Sequence, residues 1–529
     1  MLQLFYRTML VFMLFSISCF SQQQEFIKGK VLDSNTEEPI AFATIRSKNE
    51  AIGVISNMDG TFNIPERFKT YGDTLEVSSM GYKSREILIS TLSKDKAHKI
   101  YLRPSIIGLT EVIVKAKRNR KRKISASQII RRAIANIRNN YPVHPFSIVG
   151  YYRDYQLKDK KYINLNEAIL EVVDAGFLKP DFTDTKVSIY DYRPNTDFER
   201  DTLADNIYNY DNGRKILDNA YLFNYGGNEF TILRVHDAIR NYDVSAYSFV
   251  DRLDKDLLNN HNFNKVERTS VGNEVLFKIP FLKTNEDYSA FGTLFISTID
   301  YTIHKMDYAL YDLRKRKSNG VLNAHDTPGK LIFEVITEYQ KKEGKMYLNY
   351  ISFHNRFQLI TQSVFSVEEV IFDAESSRFE VKFNNEPEER SSLKNRNYDF
   401  SFDGKKIQFD KIEHFKKKVF LYPKLDNPSD REMFKQLAKV ALFNKVNRKL
   451  LKLDFDKIKD IQGNVINQIY YEDFDQYREF FVQEIKPKSI FLNDTLFMDK
   501  SKPIFKDQPI VRPDNFDDYW MNTPLKTSE

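Results

Sequence analysis

GKVLDSNTEEPIAFATI (residues 29–45), NMDGTFNIPE (57–66) and LEVSSMGYKSREI (75–87) are the segments whose reading decides the fold. Gly29 to Leu32 opens a strand, and the polar run Asn35 to Pro39 is a turn that Pro39 ends. Ile40 to Arg46 alternates as a half-buried strand does. Asp59-Gly60 lies between the β-rich runs Gly53–Asn57 and Thr61–Ile64, and glycine tolerates the positive φ of a tight turn, so a hairpin is expected there. Leu75 to Ser79 and Arg85 to Ile89 are further β-rich runs, with Gly81 where the chain bends or passes close to another backbone. Short strands with turn signals every ten or so residues predict a small β-sandwich.

Gly29-Lys30-Val31, Pro39-Ile40 followed by Ala43-Thr44-Ile45, Asp59-Gly60 with Phe62, and Ser79-Met80-Gly81-Tyr82 together resemble the carboxypeptidase-regulatory-like domain. That resemblance implies a transthyretin-type sandwich over residues 22–104, common at the N-termini of envelope proteins of the Bacteroidota and usually found with no peptidase attached. A fold of this kind does not fix a function.

Upstream, one early arginine, an apolar run from Met9 to Phe20 and small residues before a glutamine run fit a secretory signal peptide over residues 1–21. The run is short for a membrane span, which needs about 20 apolar residues. Lipoprotein processing at Cys19 is the rival reading, with a serine where the lipid-attachment motif expects an aliphatic residue. Cys19 is the only cysteine, so a chain cut after Ser21 has no disulfide and no thiolate ligand or nucleophile. At 41% hydrophobic and 14% aromatic over 529 residues, a core can form without such staples.

Downstream, the formal charge of +7 is concentrated in one place. Lys115, Lys117, Arg118, Arg120, Lys121, Arg122 and Lys123 carry seven positive charges with no acid among them, so the rest of the chain sums to zero. In an exported protein the partner this linker (105–124) suits is an anionic lipid surface, not nucleic acid; the plainer reading is a solvated linker. Leu109 to Val114, just before it, resembles the short β segment that follows this module in TonB-dependent receptors, but no Gly-rich plug or long barrel comes next.

Residues 125–390 read as a helix and a β-rich domain. Ser125 and Gln128 have capping-box spacing, and Ile129, Ile130, Ala133, Ile134 and Ile137 make an apolar face that Pro142 closes off. That face is expected to cover the sheet that follows. Gly150–Leu157 with Tyr162–Val173, and Ala290–Ser297 with Tyr301–Tyr311, read as long hairpins. Leu331, Phe333, Val335 and Tyr339 alternate with Glu334 and Glu338, and a turn at 341–345 leads to Met346–Phe353. The segment GTLFISTIDYTIHKMDYALYD (292–312) resembles the half-barrel of periplasmic lipoprotein carriers, which implies an acyl-binding concave sheet. Asp191 to Gly227 is polar and reads as a large loop. A transmembrane barrel is a rival, set against 29% charged residues spread along nearly every strand.

Residues 391–529 are read as an α+β segment with an extended tail. Ser429 and Glu432 predict a helix to about Leu453, and Tyr477–Ile485 is a mixed amphipathic run. The aromatic-acidic end carries Tyr519 and Trp520, the latter the only tryptophan; it is either an interaction motif or a tail tucked back onto the domain. No histidine has a glutamate at plus three, and HExxH, GxSxG, P-loop and GxGxxG motifs are absent. Glu167 and Glu171 read as surface charges, and Asp205, Asn209 and Asp211 lack the spacing of a calcium loop.

The expected fold class is therefore mainly β with some α: the N-terminal sandwich followed by a larger antiparallel-sheet α+β domain. The expected function is a non-catalytic envelope binding or scaffold protein, in the periplasm or at the periplasmic face of the outer membrane. It would need no cofactor or metal, and its partner would be a protein such as an outer-membrane barrel or envelope complex. The alternatives are a carrier or sensor for a hydrophobic ligand on a concave sheet and, last, a hydrolase with a dispersed site.

Overall fold

The computed structural model describes residues 25–48, 52–105, 124–159, 161–205, 215–216, 228–244, 252–314, 329–361, 363–442, 450–488 and 497–525. The chain divides into two compact units: residues 1–207, 217–357 and 474–529, and residues 208–216 with 358–473. The expected boundary near residue 390 falls inside the second unit. That unit is an insertion that begins and ends in mid-strand, so no Pro/Gly-rich linker marks it.

The first unit opens with the sandwich. Its strands are β1 (Phe26–Asp33), β2 (Thr44–Ser47), β3 (Gly53–Ile55), β4 (Thr61–Pro65), β5 (Thr74–Ser78), β6 (Tyr82–Lys83), β7 (Arg85–Leu88) and β8 (His98–Pro104). They form two four-stranded sheets, β4-β1-β8-β6 and β3-β2-β5-β7. Val31, Ile45, Phe62, Ile64, Phe68, Leu75, Val77 and Leu102 are buried between them. The hairpin expected at Asp59-Gly60 is a corner instead: β3 pairs with β2 and β4 pairs with β1, so the chain changes sheets there. Gly60 does take a positive φ of 78°, and a Cβ on it would lie 2.6 Å from the carbonyl oxygen of Val31. Glycine is needed for the crossing as much as for the turn.

The basic linker, with Lys117, Arg118, Arg120, Lys121, Arg122 and Lys123, and the Leu109–Val114 segment lie outside the described residues. Helix α1 (Ala126–Ala135) follows, with both halves of the Ser125–Gln128 capping box formed. Ile129, Ile130 and Ala133 are buried where the helix packs on the main sheet and on the turn Leu253–Leu257.

The main sheet is built from β9 (Phe146–Lys158), β10 (Lys161–Asp174), β11 (Lys186–Pro194), the two-residue β12 (Lys215–Ile216), β13 (Asn262–Phe263), β14 (Glu267–Val271), β15 (Glu274–Thr284), β16 (Tyr288–Ser297), β17 (Ile303–Asp312), β18 (Lys330–Lys342), β19 (Lys345–Thr361) and the late strand β27 (Tyr470–Lys486). The order is β11-β10-β9-β27-β19-β18-β17-β16-β15-β13, with β14 also on β15 and β12 on β19. Among the described residues it does not close on itself. The three expected hairpins are its β9–β10, β16–β17 and β18–β19 pairs. The last turns on Glu343 and Gly344, both at positive φ as a two-residue hairpin loop requires. Tyr477–Ile485, read as an amphipathic run, is the body of β27 at the centre of this sheet.

The second unit holds β20 (Val367–Asp373), β21 (Arg378–Phe383), β22 (Tyr398–Phe402), β23 (Lys405–Ile407), β24 (Phe409–Phe415), β25 (Lys418–Pro423), helix α2 (Pro428–Leu442) and β26 (Leu451–Phe455). Its sheets, β20-β21-β25-β24 and β23-β22-β26, enclose an aromatic core of Phe365, Phe379, Phe400, Phe409 and Phe434. The expected helix to Leu453 is described as far as Leu442 and does not reach Leu453, because Leu451–Phe455 pairs with β22; 443–449 lie outside the described residues.

Candidate interaction surface

The C-terminal tail decides which surfaces of the first unit stay open. Met498 N donates to Val187 O (2.7 Å) and Val511 N to Ile189 O (2.8 Å), so the tail covers the backbone of edge strand β11. It then crosses to the sandwich. The Asn522 carboxamide, fully buried, accepts from Asn63 N on β4 (2.8 Å) and donates to Ile55 O on β3 (2.9 Å), closing both sheets along one side. Trp520 enters the sandwich core, edge-on to Phe68 with ring centres 5.2 Å apart, and its Nε1 donates to Asn63 O (3.0 Å). Gln483 of β27 holds the Trp520 carbonyl at 2.6 Å. Tyr519 packs against Tyr190 and hydrogen-bonds Glu484. Of the two readings of this tail, the structure shows the tucked one: Tyr519 is 5% exposed and Trp520 is 3%.

Beneath the tail, sandwich and sheet share a buried junction. Phe42 takes a left-handed backbone (φ 58°), which costs about 1–3 kcal/mol in a bulky residue. Its ring stacks on Tyr350 of β19, 5.2 Å between centres. Arg153 of β9, fully buried, donates to Glu479 Oε2 (2.6 Å) and to Asn57 of the sandwich, with its guanidinium 5.0 Å from the Phe481 ring. Glu167, read as a surface charge, is also fully buried. It accepts from Tyr151 (2.7 Å), Asn195 (2.7 Å) and Thr523 of the tail (2.6 Å). Glu171 on the same face accepts from Ser147 and Tyr190 and pairs with Lys486. Glu167 is buried and Glu171 half-buried because neighbouring strands and the tail supply partners that a local reading of β10 cannot see.

The opposite face of the sheet is covered too, so every residue of β9 from Phe146 to Gln156 is buried. The cover is the segment 228–242, with the short helix Glu229–Val235. Phe230 sits edge-on to Tyr152 and Phe480, and His236 lies against Phe333 and Phe353. Arg234 bonds Asp181 and Asp174, Arg240 bonds Asp174, and Tyr339 Oη donates to Asp237 (2.7 Å). The face of the sheet formed by Tyr152, Phe333, Phe353 and Phe480, where a bound acyl chain would need open apolar surface, is thus covered here by the chain itself. Burial pushes the His236 imidazole down to about 4. It also pushes the Asp154 carboxyl of β9 up to about 7, with help from Glu229.

No group of three or more His, Cys, Asp or Glu residues among those described is placed to hold a metal ion. Asp205 pairs with Arg200, while Asn209 and Asp211 lie outside the described residues. No described helix is long and apolar enough to cross a membrane.

Of the sandwich's four edge strands, β3 and β4 are closed by the tail. β6 is blocked by β14, where Gly81 N donates to Ser270 O (3.0 Å). β7 pairs on one side with β5 and pairs with no other described strand. Arg85, Glu86 and Leu88 on it are exposed, Leu88 by 54%.

Residues 27–114 match the family model of the CarboxypepD_reg-like domain, which agrees with the two-sheet sandwich and with the residues that carried the resemblance. The match covers the sandwich and runs into the linker. No curated protein matches the chain.

Proposed function

We propose that this protein is an exported, non-catalytic scaffold of the cell envelope that joins an outer-membrane protein assembly through its N-terminal sandwich. The observation that carries the reading is the state of the module's edges. Three of its four edge strands are closed by other parts of the chain, and among the described residues β7 has no second strand, only the Leu88 carbonyl on it being taken, by Thr91 Oγ1 (2.6 Å). A free edge is a template for an added strand, with main-chain hydrogen bonds for affinity and alternate side-chain positions for selectivity. Arg85 and Glu86 put charge on that edge, which disfavours indiscriminate pairing, while Leu88 offers an apolar contact. The signal-peptide reading of residues 1–21 and the usual setting of the module support the envelope location. The filled faces of the main sheet favour a scaffold over a lipid carrier.

A photocrosslinking residue placed at Leu88, in the full chain expressed in its native host, tests this. The expected result is one dominant adduct in the outer-membrane fraction, with an envelope protein as the second component, lost when Ile87 is replaced by proline. Recovery of the chain in the cytosol, or crosslinks no stronger from Leu88 than from the exposed Phe415 of β24, would overturn it.

A further inference from the structure

The second unit contains a recess of about 370 Å³ whose lining carries five basic residues and one acid. Two segments build it. One runs through the turns Glu389–Ser392 and Asn395–Asn397; the other is the run 456–460 after β26. They are stitched together beneath the opening: Glu388 N donates to Lys459 O (2.7 Å), Lys459 N to Ser391 Oγ (3.1 Å), and Asp456 N to Asn397 O (3.0 Å). Asn397 Nδ2 donates to Ser391 O (2.9 Å), so the buried floor is fixed by its own bonds.

Around that floor stand Arg390, Lys394, Arg396, Lys457 and Lys459, with Glu388 as the lone acid of the lining. Lys457 pairs with Asp456 at 3.1 Å. Arg390, Lys394, Arg396 and Lys459 make no ion pair with any described residue, so no described acid on the protein offsets their charge at the opening. Like charges gathered round one opening repel, and the repulsion is relieved when an anion of two or more charges binds among them. Two arginines give the planar donor fork that fits phosphoryl oxygens, and the lysines add point charge. The volume exceeds that of a bare phosphate ion and suits an esterified or condensed phosphate.

We infer that this recess is a binding site for a phosphoryl-bearing anion, carried either by a lipid headgroup or by a soluble phosphate ester. The test uses the mature full chain with two probes. Isothermal titration calorimetry measures sodium pyrophosphate, and co-sedimentation measures vesicles of phosphatidylglycerol and phosphatidylethanolamine against phosphatidylcholine vesicles. The paired variant is Arg390→Gln with Arg396→Gln; the control, equal in charge, is Lys435→Gln with Lys439→Gln on the exposed face of α2. Both arginines are exposed, and an unchanged melting curve verifies that the variants fold.

The expected result is pyrophosphate binding at least tenfold weaker in the recess variant and unchanged in the control. If anionic-vesicle binding falls in the same variant, whatever the pyrophosphate result, the source is a lipid headgroup. If only pyrophosphate binding falls, it is a soluble ester. Vesicle binding that survives the recess substitutions belongs to the 115–123 cluster and is subtracted. The inference is overturned if neither probe shows a component lost in the recess variant, or if the control weakens binding equally.

Discussion

Replacing Trp520 by alanine removes the side chain through which the tail enters the sandwich. Truncating a buried tryptophan costs about 3–5 kcal/mol, through lost transfer energy and the cavity left behind. Here the indole also pairs edge-on with Phe68 and bonds the Asn63 carbonyl, so a value near the middle, about 4 kcal/mol, is expected. With a urea dependence of about 2 kcal/mol per molar, the sandwich transition should move down by about 2 M, followed by far-UV circular dichroism. Trp520→Phe keeps one aromatic ring and loses the five-membered ring with its Nε1 bond, so a smaller loss than for alanine, about 2 kcal/mol, is expected. Because Trp520 is the only tryptophan, wild-type emission reports on this contact alone. It should be that of a buried indole and shift red in the same transition. An alanine variant within about 0.5 M of wild type, or native emission like that of the unfolded chain, would show that the tail does not hold the sandwich.

Three further outcomes follow from the buried groups and one turn. Arg153→Met leaves Glu479 charged and buried, and should cost about 3–5 kcal/mol, whereas adding Glu479→Leu should recover most of it; equal losses in the single and double variants would contradict the paired geometry. His236 and Asp154 should tilt the pH dependence in opposite senses. The fold keeps His236 neutral down to about 4 where the unfolded chain is protonated below about 6.5, so stability falls as pH drops through that window. The fold keeps Asp154 protonated up to about 7 where the unfolded chain ionises above about 3.9, so stability falls as pH rises. Denaturation series from pH 4 to 6.5 should show the wild type losing little to this pair. Asp154→Asn should gain stability with pH by up to about 1.4 kcal/mol per unit relative to it, and His236→Gln should lose it similarly. Gly60→Ala and Gly404→Ala both place alanine at φ near 75°, but a Cβ at 60 meets the Val31 carbonyl and one at 404 meets nothing within 4 Å. Thermal unfolding should show Gly60→Ala the worse by about 1–3 kcal/mol.

What was legible in the sequence was what is local. The Ser125–Gln128 cap, the period-two runs of β9–β10, β16–β17 and β18–β19, and the sandwich strands each need only neighbours within a hairpin or one helical turn. The failures share the opposite cause. β27 is buried on both faces over Tyr477–Gln483, and its Gln476, Arg478, Glu479 and Gln483 are tolerated there because Gln156, Asn355, Arg153 and Trp520 supply partners. Those partners erase the alternation by which a half-buried strand is recognised. Asp237, Arg234 and Arg240 leave the segment 228–242 without a readable apolar period for the same reason: their partners sit on other elements. Asp59-Gly60 was read for its turn, but its two flanking strands belong to different sheets, and only β1, packed against Gly60, reveals that. At the candidate surface, β7 was legible as a strand, whereas its freedom was not, since an edge is defined by what fails to pair with it.

The order in which the first unit can close constrains how it reaches its folded state. Asn63 is joined to Asn522 across 459 residues, and the central strand β9 takes β27 as its neighbour across 326 residues at Arg153 and Glu479. Until β27 arrives, β9 has β10 on one side and an open ladder on the other, and the sandwich lacks Trp520. Contacts this distant must overcome loop-closure entropy before they add stability, so they form late and slowly. The tail that closes three edges (β3, β4 and β11) is therefore expected to dock late, after the strands it covers have formed. A sandwich that acquired its rigidity earlier would not need the tail. Because the sandwich core holds Trp520, the described edges β3 and β4 are closed only once this late segment has docked, whereas β7 is open before and after.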